Sequence, residues 1–259
     1  MFADGEARPG IRDTLTSGNP VPCAPALILF GPPGSGKGTQ SKLLKQSCIP
    51  GPHISTGDML RAHIGAGDEI GRESQSLIKA GKLVPDEMVN QLIEQRLAAS
   101  DCRHGMILDG YPRTLNQARV LLDFLGGYGF RPAVVHLVVD RERIVRRLSG
   151  RRICPVCGTL YSLKTNPPKV PGICDLDGAE LITREDDRES VIRERLAEYE
   201  TQTRPLLDYF RQEQVPVLEV GGASATPEQI SEKICHELRA AGLTTDGAVL
   251  GSSDAGARK

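Results

Sequence analysis

The run Ala26-Leu27-Ile28-Leu29-Phe30 ends on Gly31-Pro32-Pro33-Gly34-Ser35-Gly36-Lys37-Gly38-Thr39, and a segment of helical character, Gln40 to Gln46, follows at once. A buried strand, a glycine-rich turn and a helix start in direct succession leave few folds open. Backbone N–H groups of such a turn and of the helix N-terminus point at a common anion, and the lysine can reach the outer phosphates of a nucleotide. Gly31, Gly36 and Lys37 stand at the spacing of a phosphate-binding P-loop. The next position departs from it. Gly38 occupies the place where the general motif carries a Ser or Thr hydroxyl for Mg²⁺, with Thr39 one residue later.

Further short apolar runs recur at Met106–Leu108, Val134–Val139 and Val215–Val220. Segments of helical period lie between them, at Gln75–Ile78, Val84–Ala99, Leu115–Phe124, Arg141–Leu148 and Ser190–Glu213. Strands that alternate with helices predict an α/β fold with a parallel sheet covered on both faces, and the phosphate loop after the first strand makes the expected sheet one of the P-loop NTPase type. Pro205 is expected to split the last helical stretch, since its ring cannot continue a helix without a kink. Two regions break the rhythm and read as insertions. Ser55–Leu83 is short and punctuated by glycine, and Arg152–Asp187 is rich in Pro, Gly and Cys.

Composition narrows the partners. The 259 residues suffice for a full core with one or two small insertions. A formal net charge of −1 supplies no basic field for nucleic acid, and no apolar run approaches the roughly 18 residues of a membrane span. The first 24 residues lack an apolar secretory core and carry Asp4, Glu6 and Asp13, so a disordered cytoplasmic tail is expected there, without excluding an organelle. A second disordered tail is expected over 244–259, rich in Gly, Ser and Ala. Seven cysteines are an odd number for a secreted disulfide scaffold. Cys23, Cys48, Cys102 and Cys235 are scattered and expected to be plain thiols.

The other three cysteines are not scattered. Cys154-Pro155-Val156-Cys157 and Cys174-Asp175-Leu176-Asp177 form a C-x₂-C…C-x₂-D arrangement. Two-residue gaps let each pair chelate one ion from a tight turn, and three thiolates with a carboxylate favour Zn²⁺ in a closed, structural site. Asp175 could replace Asp177, though the symmetric spacing favours Asp177.

More motifs follow in order: Ser55-Thr56-Gly57-Asp58-Met59-Leu60-Arg61, Ala80-Gly81-Lys82-Leu83-Val84, and Leu108-Asp109-Gly110-Tyr111-Pro112-Arg113 with Gln117. Arg147, Arg151, Asn166-Pro167-Pro168-Lys169, Thr183-Arg184-Glu185-Asp186-Asp187 and Arg195 complete the set. Together with the loop, these strongly resemble the adenylate kinases, in the long form whose lid carries a Cys₃Asp zinc site. The resemblance covers roughly residues 25–240. It accounts for the odd loop position, since that family's loop reads Gly-Lys-Gly-Thr.

The resemblance implies a reversible, Mg²⁺-dependent transfer of the γ-phosphoryl group of ATP to AMP, giving two ADP, by a monomer. It implies a core over 25–54, 85–150 and 188–243, an AMP-binding subdomain over 55–84, and a zinc-bearing lid over 151–187. Gly34, Ser35, Gly36, Lys37, Gly38 and Thr39 would hold the ATP phosphates, with Arg147 and, from the lid, Tyr161 beside them. Arg61 and Arg113 would grip the AMP phosphate, while Thr56 and Gln117 read its adenine and Gly57, Lys82, Val84 and Gly110 line the pocket. Arg147, Arg151, Arg184 and Arg195 would close on the transferring group, with Arg184 and Arg195 also reaching AMP. Asp109 would orient Mg²⁺ through water, because Gly38 has no hydroxyl. Asp186 and Asp187 read either as a solvated pair or as partners in lid–core charge contacts. The same fold could instead serve GTP:AMP or another nucleoside monophosphate transfer. A non-catalytic nucleotide sensor would be expected to lack one or more of the six arginines, and all six are present.

Overall fold

The computed structural model describes residues 24–221 and 225–244, so both expected tails, and Cys23, lie outside the described residues apart from Ala24 and Thr244. Every residue of β1 (Pro25–Phe30) is buried, which requires cover on both faces of the sheet. It sits at the centre of five strands in the order β2 (His53–Ser55), β3 (Met106–Asp109), β1, β4 (Arg131–Val138), β7 (Val217–Gly221), all parallel. Alternate residues of β1 feed two cores. Ala26, Ile28 and Phe30 join Met106, Leu108, Leu121 and Phe210 on one face, and Leu27 and Leu29 join Leu44, Ile107, Val135 and Ile234 on the other.

The first core is covered by α4 (Asp86–Leu97), α5 (Leu115–Gly127) and α8 (Leu206–Gln212), the second by α1 (Lys37–Ser47) and α9 (Pro227–Ala240). Side-chain caps fix several starts: Thr114 accepts from Gln117 N–H at α5, and Asp140 accepts from Arg143 N–H at α6 (Arg141–Ser149). At α9, Thr226 and Gln229 form a reciprocal capping box with Pro227 in the first turn.

Both irregular regions have structure of their own. The first begins in edge strand β2 and forms α2 (Thr56–Ala66) and α3 (Glu69–Lys79), capped by Ser55 and Asp68. The second pairs β5 (Arg151–Ile153) with β6 (Leu160–Ser162) in an antiparallel ribbon around a small core of Cys154, Tyr161, Cys174 and Leu181. The late helical stretch is α7 (Glu189–Glu198), a π-helical turn over Tyr199–Thr203, and α8 beyond Pro205.

Candidate active site

The phosphate loop runs from the carboxyl end of β1 to the start of α1. Gly34 has φ +79 and faces Leu148, whose Cγ would lie 2.8 Å from an added Cβ, so position 34 excludes a side chain on both counts. Among the described residues no side chain caps α1; the N–H groups of Thr39 and Gln40 donate to Gly36 O, each at 3.0 Å. Lys37 Nζ donates to the carbonyls of Gly31 (2.8 Å) and Pro32 (3.0 Å). Burial lowers its pKa to about 8; Asp109 opposes that shift, while Arg113, Arg195 and Arg151 add to it. Arg147, on α6, donates from Nη1 to Ser35 O at 3.4 Å.

Asp109 ends β3, in register with Leu29 and Ser55. An added Cβ on Gly38 would lie 3.8 Å from its Oδ2, and His53 Nε2 lies 3.4 Å away. The loop after Asp109 contains a cis Tyr111–Pro112 bond and is fastened from several sides. Thr56 Oγ1 (2.8 Å) and Arg113 Nε (2.8 Å) both donate to Gly110 O. Gly110 has φ +78, and an added Cβ would lie 2.9 Å from Thr56 Oγ1 and 3.0 Å from Arg113 Nη2. Gln117 accepts from Arg113 N–H (2.8 Å) through Oε1 and donates to Asp86 Oδ1 (2.7 Å) through Nε2. Asp86 also accepts from Thr114 Oγ1 at 2.7 Å. Gly57 sits against the Arg61 guanidinium, which pairs with Asp58; Val84 is buried, and Lys82 is exposed.

Arg61, Arg113, Arg151, Arg184 and Arg195 lie near enough for their charges to act on one another. Burial lowers Arg113 and Arg184 to about 10, with neighbouring guanidiniums adding to it. Arg184 Nε is buried without a protein hydrogen-bond partner among the described residues. Asp186 and Asp187 are not a solvated pair. Arg151 binds Asp187 through Nε at 2.6 Å and also through Nη2, while Arg195 Nη1 reaches Asp186 Oδ2 (2.9 Å) and Asp187 Oδ1 (3.4 Å). Burial would raise the Asp186 carboxyl, but Arg195 and Arg151 hold it below the usual range. A basin of buried, mutually repelling cations favours a polyanion, which supplies the charge that the protein leaves uncompensated.

In the lid region, donor atoms of Cys154, Cys157, Cys174 and Asp177 all lie within 4.8 Å of one another. Asp177 carboxylate oxygens are 3.3 and 3.1 Å from Cys154 Sγ, and the sulfurs of Cys157 and Cys174 are 3.5 Å apart. Val156 and Cys157 N–H groups point at Cys154 Sγ, each at 3.4 Å. Three sulfurs and one carboxylate so gathered fit a single tetrahedral ion. Asp175 is turned away, accepting from Lys169 N–H at 2.8 Å.

Tyr161 is buried in the lid core with its hydroxyl 3.5 Å from Cys174 Sγ and accepting from Asp175 N–H (2.8 Å), so that hydroxyl braces the cysteine cluster. One expectation needs correction. Cys48 and Cys235 are not plain thiols. They form a disulfide across 187 residues that ties α1 to α9, a pairing with no local sequence signal. Cys102 does remain a buried thiol, with a pKa pushed up to about 11 by burial. Asp86 was missed as an organiser of the Arg113 loop; its signal was an acid directly after Pro85 at a helix start.

Comparison with known proteins agrees with this geometry. The family model described as Adenylate kinase matches residues 29–215. The adenylate kinase of Moorella thermoacetica is 46% identical over 205 residues, 79% of this chain and 94% of that protein. That of Fervidobacterium nodosum is 48% identical over 186 residues, covering 71% and 85%. That of Finegoldia magna is 43% identical over 215 residues, covering 82% and 98%. A match over most of the described chain, joined to a phosphate loop facing a ring of arginines, places this protein in the adenylate kinase family.

Proposed function

We propose that the chain catalyses the reversible transfer of the γ-phosphoryl group of Mg·ATP to AMP, yielding two ADP. The convergence of Lys37 with five arginines at the carboxyl ends of β1 and β3 carries this reading. The acceptor, a phosphate oxygen, is already anionic, so no general base is needed. Catalysis rests on bringing two polyanions together and stabilising charge on the transferring group.

In this reading Lys37 leaves the Gly31 and Pro32 carbonyls for the β/γ-phosphates, and the N–H groups of 34–39 cradle them. Arg113 and Arg61 hold the AMP phosphate. Thr56 and Gln117 face its adenine with the hydrogen-bonding capacity left over from Gly110, Arg113 and Asp86. Arg147, Arg151, Arg184 and Arg195 surround the transferring group as planar, permanently charged forks. Asp109 would hold the nucleotide's Mg²⁺ through water, and Gly38 adds no side chain beside that carboxylate. Residues 55–84 act as a flap over AMP and 151–187 as a lid over ATP, excluding water that would otherwise divert transfer into hydrolysis. The protein works as a monomer.

Cys154, Cys157, Cys174 and Asp177 would hold Zn²⁺, which clamps a lid with too little core of its own. Chelation is therefore expected to lower the unfolding temperature while leaving turnover at moderate temperature within about twofold; near-total loss of activity with a folded core would contradict the structural role. The main test is ADP formation from ATP with AMP, CMP, UMP and GMP in turn, repeated with GTP as donor, with zinc content measured on the same sample. AMP with ATP should dominate. Equal rates with a pyrimidine acceptor would overturn the assignment.

A further inference from the structure

The π-helical turn Tyr199–Thr203 joins the helix that carries Arg195 to α8, and it closes through Arg204 N–H on Tyr199 O at 2.8 Å. Its register has a geometric consequence. In an unbroken α-helix the eight steps from Arg195 to Thr203 would rotate the rod roughly 80° beyond two turns. With one residue absorbed by the wide turn, they act as seven steps and end within about 20° of the same face. Arg195 points that face at Asp186 and Asp187, and Thr203 points it at Arg113. Thr203 is buried, and its Oγ1 donates to Arg113 O at 3.0 Å across 90 residues of sequence.

Arg113 is thus held at both ends of its peptide, its N–H by Gln117 and its C=O by Thr203. The loop it belongs to has no regular hydrogen-bonded ladder, so an acceptor on Gln117 and a donor on Thr203 fix its position. A one-ångström error in a phosphate-binding guanidinium is costly for a site that works by positioning. We propose that Thr203 is a positioning residue: through the Arg113 carbonyl it sets the acceptor-phosphate arginine relative to the Arg195 helix. The proposal rests on the reading above that Arg113 binds the AMP phosphate.

The test compares Thr203→Val, which keeps shape without the donor, Thr203→Ala, which also lacks it, and Thr203→Ser, which keeps it. Steady-state KM for AMP and for ATP, kcat and thermal midpoint are measured for each, with Arg113→Ala in parallel. Thr203→Val and Thr203→Ala should raise KM for AMP about tenfold with KM for ATP within twofold, and Thr203→Ser should stay near the parent value. If Thr203→Val fails to fold, the contrast between Ala and Ser decides. A Ser variant as impaired as Ala, or equal losses toward ATP and AMP, would place the effect in packing and overturn the proposal. Arg113→Ala impaired toward AMP with all Thr203 variants normal would overturn the positioning role alone. Arg113→Ala normal toward AMP would remove the site reading, and the proposal with it.

Discussion

Lys37 pairs a functional requirement with a stability cost. Its folded pKa of about 8 lies below the ordinary 10.5, so between these values the unfolded chain binds more protons than the folded one. Its contribution to stability is complete above the ordinary value and is lost as pH falls through about 8, so at neutral pH the buried ammonium works against folding. Lys37→Met is expected to cut turnover on the order of 10²–10³-fold, as for loss of one preorganised charge donor, with no fall in thermal midpoint. Retained turnover would refute the role. The same titration predicts that kcat/KM for ATP, which reports the free enzyme, declines above about pH 8. A flat profile to pH 9.5 would show that Lys37 keeps its proton without phosphate.

At the scale of elements, the disulfide is the strongest tie that local sequence could not announce. Cys48 caps α1, the helix behind the phosphate loop, and Cys235 lies mid-way along α9. Closing 187 residues removes much chain entropy from the unfolded state, so loss of the bond should cost about 3–5 kcal/mol. Denaturant midpoints with and without reductant measure this; Cys48→Ser should match the reduced parent and ignore reductant, and an unchanged midpoint would refute the tie. Strands β1 and β3 were legible because strands buried on both faces read as unbroken apolar runs, and β4 and β7 because only a single polar residue, His136 and Glu219 respectively, interrupts their apolar runs. Edge strand β2 was not: in His53-Ile54-Ser55 only Ile54 is buried, which leaves no periodicity to detect. α9 had a readable start in Thr226-Pro227 with Gln229, a signal that apolar runs alone overlook. Thr203 and Asp86 act through partners 90 and 31 residues away, so only the tertiary fold shows what they hold.

Across the whole molecule, the parallel topology brings the carboxyl ends of β1 and β3, and with them Lys37, Asp109 and Arg113, to the same end of the sheet, within electrostatic reach of arginines carried by the helices and the lid region. The cost of that convergence is electrostatic and could not be read from a net charge of −1. Arg184 shows it most clearly: its Nε is buried without a partner among the described residues, and burial with Arg61 and Arg151 lowers its pKa. A group that destabilises the free protein and is satisfied by ligand couples binding to folding. ADP at 100 times its Kd should stabilise the fold by about 2.7 kcal/mol, raising the thermal midpoint roughly 5–10 °C for a chain of this size. Arg184→Gln removes one repelling charge, so the ligand-free variant should gain about 0.5–1 kcal/mol. Its shift with ADP at the parent's saturating concentration should shrink, because fewer charge-assisted bonds await the phosphates. Paired calorimetry on both proteins, with and without ADP, checks the two signs together. A variant less stable when free, or equally stabilised by ligand, would show that Arg184 is held by the fold and not by the nucleotide.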